Sequence, residues 1–244
     1  AVYGSLEAGK PSFHQVSPPK DALEDFGGLD VSLATTQLQT LSDAVIYLWE
    51  YPYACTEQLA SRILSVTAMG DLLTIFQASG LPDKAIIDSR IRDDVALIEK
   101  RQTSDGSFGT WRPDSITSPF MTAHAVYALL LAKQRGVKVS EDVLNKAGIY
   151  LQRMATNPTK ESITTKAYAV FVRSQLGHDV YGDLQNLKDT PLTKWPADAL
   201  AFASLAHAAD PSFMAELIAR VRETAGSAVF THGVRQEDPV VLAS

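Results

Sequence analysis

The sequence predicts an all-α chain whose helices pair into a ring, an α/α toroid incomplete at its C-terminal end, preceded by a short extended or strand-like segment. Three observations predict it. From residue 37 onward apolar residues recur at spacings of three and four, which line one face of a helix. Gly80, Gly136, Gly177 and Gly226 stand where those periods stop, and glycine tolerates the left-handed backbone that closes a helix. The segments AVYALLLA (125–132), AYAVFVRS (167–174) and LAFASLAH (200–207) look alike and are apolar nearly all round, whereas the helices between them, such as SEDVLNKAGIYLQRM, carry a charged face. Buried helices alternating with half-exposed ones describe the inner and outer layers of a ring; an open superhelical stack of pairs is the competing arrangement.

The elements follow in order. Residues 1–36 read as a linker or as a strand borrowed from a neighbouring domain: Pro11, Pro18, Pro19, Gly27 and Gly28 interrupt any period, and LDVSLATT at 29–36 alternates Leu29, Val31 and Leu33 with polar positions. Residues 37–244 read as the toroid. Leu38, Leu41, Val45 and Leu48 open the first helix, and helices are expected over 37–50, 56–79, 83–101, 119–135, 140–156, 161–176, 195–208 and 211–225. The sequence stops on DPVVLAS, apolar and without a cap, so the last helices of a closed ring are expected to be missing.

Composition narrows the function. A hydrophobic content of 45% is ample for a contiguous core, and a net charge of −6 with scattered Lys and Arg argues against nucleic acid or an anionic membrane as partner. No apolar run reaches the roughly 20 residues that span a bilayer. A single cysteine excludes an internal disulfide and sites built from several thiolates, and no metal or cofactor is expected.

That cysteine lies in YPYACTEQLASR, residues 51–62. A free cysteine is most often a small buried hydrophobe. Here, however, Pro52 holds Tyr51 extended and places the helix start near 54–56, so the Cys55 sulfur stands by the unpaired N–H groups of the first turn, which favour a thiolate. Gln58 is one turn on along the same face, within reach of the sulfur. Loss of ammonia would join the two as a thioester.

The run YPYACTEQ resembles the thioester motif of the alpha-2-macroglobulin and complement superfamily, above all its bacterial branch. The likeness extends over GLDVSLATTQLQTLSDAVIYLWEYPYACTEQ (28–58) and the Asp-Gly-Ser-Phe turn in RQTSDGSFGTW (101–111), and covers most of 28–244. It implies a terpenoid cyclase-like α/α toroid in which Cys55 supplies the sulfur and Gln58 the acyl carbon. It further implies a single-turnover endopeptidase inhibitor: after bait cleavage elsewhere in the parent chain, a protease lysine is captured covalently through Gln58. By the same resemblance the parent is periplasmic, anchored to the inner membrane as a lipoprotein, and in some cases paired with a cell-wall synthase, with other domains of the parent as partners of this one.

The neighbouring residues have plainer readings beside functional ones. Glu57 suits a helix first turn, and Thr56 reads as a capping or surface residue. Tyr51 and Tyr53 read as core aromatics or as a shield excluding water from the bond, Tyr51 being the better shield by resemblance. Ala54 stands where the family more often has glycine. In complement-like members a histidine takes the acyl group first; His124 lies nearest that region but within a helix, and reads as a satisfied helix histidine. His14 lies in the linker and His178 in a turn, where solvent exposure is the plain reading, and His207 and His232 have no partner pattern. The chain thus looks amine-preferring and histidine-independent.

Three other readings compete with this one. A cyclase needs acidic clusters, and Asp93–Asp94, the adjacent pair outside the linker, reads as a solvated face. The 102–111 turn then serves architecture, with Phe108 and Trp111 packing beneath it. A cysteine hydrolase would pair Cys55 with a distant histidine, and a binding module of the same fold would carry an unreacted Cys55 and Gln58.

Overall fold

A computed structural model describes residues 9–13, 15–17, 20, 28, 29, 31, 38–75, 82–156, 161–206, 215 and 219. The chain divides into two compact units, Ala1–Gln37 and Leu38–Ser244. In the first, Leu29 and Val31 belong to no strand, and the rest of the strand expected over 29–36 lies outside the described residues. Among its described residues the second unit is built of helices: α1 (Leu38–Glu50), α2 (Thr56–Ile75), α3 (Lys84–Glu99), α4 (Pro119–Gln134), α5 (Glu141–Thr156), α6 (Ile163–Gln175), α7 (Tyr181–Leu187) and α8 (Ala197–Leu205), with a 3-10 turn at Leu192–Lys194. The helix expected over 211–225 lies outside the described residues except for Ala215 and Ala219, both helical.

Packing follows the inner and outer assignment. α2 packs on α4, α4 on α6 and α6 on α8, while α3 spans α2 and α4, and α5 spans α4 and α6. This two-layer alternation is the α/α toroid arrangement. The inner helices are apolar almost all round because both sides are covered: α4 buries Met121, Ala123, Ala125, Val126, Ala128, Leu129, Leu130 and Ala132, and α6 buries Ala167 through Val172. The outer α5 buries only one stripe, Leu144, Ala147, Tyr150, Leu151 and Ala155, and carries Glu141 and Asp142 in its first turn and Arg153 in its last, matching the helix dipole.

Local signals set the helix ends. Ser118 caps α4, its hydroxyl accepting from the Met121 N–H with Pro119 at the first position, and Ser162 caps α6 by accepting from the Thr165 N–H at 3.2 Å. Gly136 and Gly177, with φ of 87° and 85°, end α4 and α6. α7 goes beyond the sequence reading: seven residues are too few to show a period, and it holds by burying Leu184 and Leu187 against α5 and α6.

Two further expectations are corrected. Asp94 is not on a solvated face: it is buried, 2% exposed, and receives two hydrogen bonds from Arg62, Nε to Oδ2 at 2.7 Å and a terminal nitrogen to Oδ1 at 2.8 Å. Its neighbour Asp93 is exposed, since adjacent helical positions point about 100° apart. Trp111 does not pack beneath the 102–111 turn; it is 54% exposed, and Phe108 alone fills the space below.

That turn is tightly built. The Asp105 carboxylate accepts from the Ser107 N–H at 3.0 Å, from the Ser107 hydroxyl at 2.7 Å and from the Thr103 hydroxyl. Burial raises the Asp105 pKa, but these hydrogen bonds outweigh it and hold the group below the usual carboxylate range. The Gln102 side-chain amide donates to the Val143 carbonyl at 2.8 Å, and an Arg153 guanidinium N–H donates to the Asp105 carbonyl at 2.6 Å, tying the turn to α5.

Candidate functional site

The turn grips the first residues of α2, where the cysteine lies. The Thr56 N–H donates to the Thr110 carbonyl at 2.9 Å and the Thr56 hydroxyl to the Gly109 carbonyl at 2.6 Å. Arg101 completes the clamp by donating to the Thr56 hydroxyl oxygen and the Thr110 carbonyl, each at 3.2 Å. Thr56 is fully buried, which corrects its reading as a surface residue: the turn supplies carbonyls to a helix start that would otherwise leave N–H groups unpaired.

Cys55 is the residue just outside the helix. Its carbonyl accepts the first helical hydrogen bond, from the Leu59 N–H at 2.9 Å, so Cys55 is the N-cap and Gln58 the third helical residue. Gln58 reaches back, its Oε1 accepting from the Cys55 N–H at 3.1 Å. This is one arm of a capping box, in which the third-position side chain satisfies the N-cap N–H; the N-cap side chain is here a thiol instead of a hydroxyl. The hydrogen bond holds the Gln58 amide beside Cys55 and polarises its carbonyl. The thiol is free and 8% exposed.

Burial lowers the Arg101 pKa, and the facing Cys55 and Asp94 only partly offset this.

In front of Gln58 lies a cleft of about 230 Å³ lined by Tyr47, Leu48, Tyr51, Glu57, Gln58 and Ser61. Tyr51 is half-buried, its ring centroid 5.6 Å from that of Tyr47 and 5.7 Å from that of Tyr53. Tyr53 is 62% exposed and so is not a core aromatic; the proline between the two tyrosines turns one ring toward the cleft and the other outward. Glu57 is exposed at the cleft edge. His124, on α4, is hydrogen-bonded at both ring nitrogens, Nε2 with the Ser61 hydroxyl at 2.9 Å and Nδ1 with the Tyr168 hydroxyl at 3.1 Å, and burial pulls its pKa down to about 4. His178 is exposed in the turn after α6; His14, His207 and His232 lie outside the described residues.

Spacing alone pairs Cys55 with Gln58, and the family resemblance adds Tyr51, which lines the same cleft as Gln58. It misses Thr56, Arg101, Ser61 and Tyr168, whose partners lie 44 to 63 residues away on other elements, except that an arginine just before the Asp-Gly-Ser-Phe turn is a visible candidate to reach back.

The fold has known counterparts. The chain superposes with a TM-score of 0.63 on native alpha-2-macroglobulin from Escherichia coli, in a structure running from domain MG7 to the C-terminus, at 19% identity over 82% of this chain and 32% of that one. Salmonella alpha-2-macroglobulin reacted with methylamine matches at the same TM-score and identity, over 82% of this chain and 14% of that one. These likenesses give the class, the all-α toroid in the C-terminal part of alpha-2-macroglobulins. In sequence, the chain is 24% identical over 202 residues to an alpha-2-macroglobulin homolog of Yersinia pestis and 27% identical over 159 residues to the alpha-2-macroglobulin of Rickettsia conorii, matching 80% and 64% of this chain. It is thus similar in sequence to a segment of bacterial alpha-2-macroglobulins and spans 10% and 8% of those two proteins. No family profile matches it.

Proposed function

We propose that residues 37–244 are the thioester-containing domain of a protease-trapping inhibitor. The observation that carries it is the 3.1 Å hydrogen bond from the Cys55 N–H to Gln58 Oε1, which keeps the amide carbonyl at the residue bearing the sulfur. The thiol adds to the Gln58 amide carbon, ammonia leaves, and Cys55 and Gln58 are joined as a thioester. An acyl thioester reacts readily with amines and persists while its surroundings exclude water. Tyr51, which lines the cleft, would help to exclude it.

When a lysine amine attacks the Gln58 carbon, a C–N bond forms, the C–S bond breaks, and Cys55 takes the proton the amine gives up and leaves as a thiol. The product is an isopeptide-type amide, so the domain acts once and is an inhibitor component and not a turnover enzyme. Bait cleavage elsewhere in the parent would expose the bond, and target proteases and the parent's other domains would be its partners. By the family resemblance the parent would be periplasmic with a lipid anchor, and a cell-wall synthase would be a further candidate partner. A cyclase draws no support from Asp94, which is occupied by Arg62.

Incubation with isotope-labelled methylamine followed by peptide mapping tests this. The label is expected on Gln58 in the wild-type chain and nowhere in Cys55→Ala; equal labelling of both, or none in the wild type, would defeat the proposal.

A further inference from the structure

Among the described residues, the lining of the cleft in front of Gln58 carries a single charged group, Glu57, and two of its walls are the aromatic rings of Tyr47 and Tyr51, 5.6 Å apart. The chain that builds these walls is acidic: residues 38–61 contain Asp43, Glu50 and Glu57 and no lysine or arginine. Glu50 and Glu57 are both exposed. The arginines of the adjoining elements have other partners, Arg62 and Arg90 at Asp94, and Arg101 at Thr56 and the Thr110 carbonyl.

A carboxylate beside tyrosine faces suits an organic cation, through charge attraction and through the ring quadrupole. The field of Glu57 also reaches the reacting centre. Successive Cα atoms are about 3.8 Å apart, and exposed charges act over about 10 Å at 0.1 M salt, so Glu57 influences a molecule approaching Gln58 without touching the acyl group. Glu57 has a structural merit as well, since a carboxylate in the first turn of α2 complements the helix dipole. That merit is indifferent to the charge of an incoming molecule, and this separates the two roles.

The attacking amine enters as its free base, so the field acts on whatever further charge the molecule carries. We infer that the cleft selects amines that bear a second, positively charged group, and that Glu57 sets this preference. The protease lysine captured is then one in a basic stretch of the target surface, and a lysine flanked by carboxylates is disfavoured. The inference rests on the thioester proposed above and leaves its bond changes as they stand: the amine nitrogen bonds to Gln58, Cys55 leaves with the amine proton as a thiol, and Glu57 takes part in no proton transfer.

The test is the second-order rate of thiol release from the full chain by two amines of similar size, aminoethyl-trimethylammonium, with a fixed positive charge, and taurine, with a negative sulfonate. Comparing the cation-to-anion rate ratio between proteins cancels the differing basicity of the two amines, and the intact mass of each protein is read first. A unit charge roughly 6 Å from another in water changes a rate about 3-fold, so Glu57→Gln should lower the ratio about 10-fold, whereas Glu57→Asp should keep it near the wild-type value. Raising the salt to about 1 M, where the screening length is about 3 Å, should lower the wild-type ratio by a similar factor. This arm needs no variant, so it decides the matter where a variant fails to form the bond. An unchanged ratio in Glu57→Gln with the mass deficit of one ammonia intact, or a wild-type ratio indifferent to salt, would overturn the preference and leave the thioester proposal standing. Absence of the deficit in the wild-type chain would remove both.

Discussion

Thr56 joins α2 to the 101–117 segment through one hydroxyl that donates to the Gly109 carbonyl and accepts from Arg101. Replacing it by valine, close in shape, leaves the buried Gly109 carbonyl without its hydroxyl donor and removes one of the two acceptors of the Arg101 guanidinium. Thr56→Val is therefore expected to cost about 1–3 kcal/mol in a urea titration, and a change under a few tenths would show that the clamp is unimportant. His124 carries a pH signature. Its folded pKa, about 4, lies below the ordinary value of 6.5, so the unfolded chain binds the extra proton in that window. Its contribution to stability is intact above pH 6.5 and is lost as the pH falls through 4, a loss of up to about 3 kcal/mol for a shift of this size. Unfolding midpoints at pH 7 and pH 4 should fall less in His124→Asn than in the wild type; parallel falls would contradict a neutral buried ring.

At the scale of elements, the turn between α3 and α4 is where backbone geometry limits substitution most. Gly106 has a φ of 93°, and a Cβ added there would lie 2.3 Å from the Lys146 carbonyl oxygen on α5. Gly106→Ala thus combines a left-handed strain with a backbone clash, and is expected to destabilise by about 3 kcal/mol or more and to weaken the grip on Thr56. The Arg62–Asp94 pair joins α2 to α3, and Asp94→Ala, which strands a buried guanidinium, should cost about 3–5 kcal/mol in thermal or urea unfolding. The sequence showed what is local and hid what is not. The ends of α4, α5 and α6 fell within two residues of expectation because Ser118, Ser162, Gly136 and Gly177 act within a single turn. Asp94 read as solvated because its partner Arg62 lies 32 residues earlier on another helix. α7 was hidden because its stability comes from contacts with α5 and α6 and not from a periodic face.

Over the molecule as a whole, the same alternation of apolar and half-polar helices that builds two layers also brings α2, α4 and α6 side by side. Cys55 and Gln58 are thereby placed at an inner-helix N-terminus, with Ser61, His124 and Tyr168 behind them on three successive inner helices. Cys55 and Gln58 were legible from their spacing, but the polar chain behind them requires the toroid to bring residues 61, 124 and 168 together. The most direct test is the intact mass of the untreated chain with a thiol titration, repeated after methylamine. The thioester account predicts a mass one ammonia below that of the sequence and no titratable thiol, then a gain of one methylamine and the appearance of one thiol. A full sequence mass with Cys55 titrating from the start would contradict it.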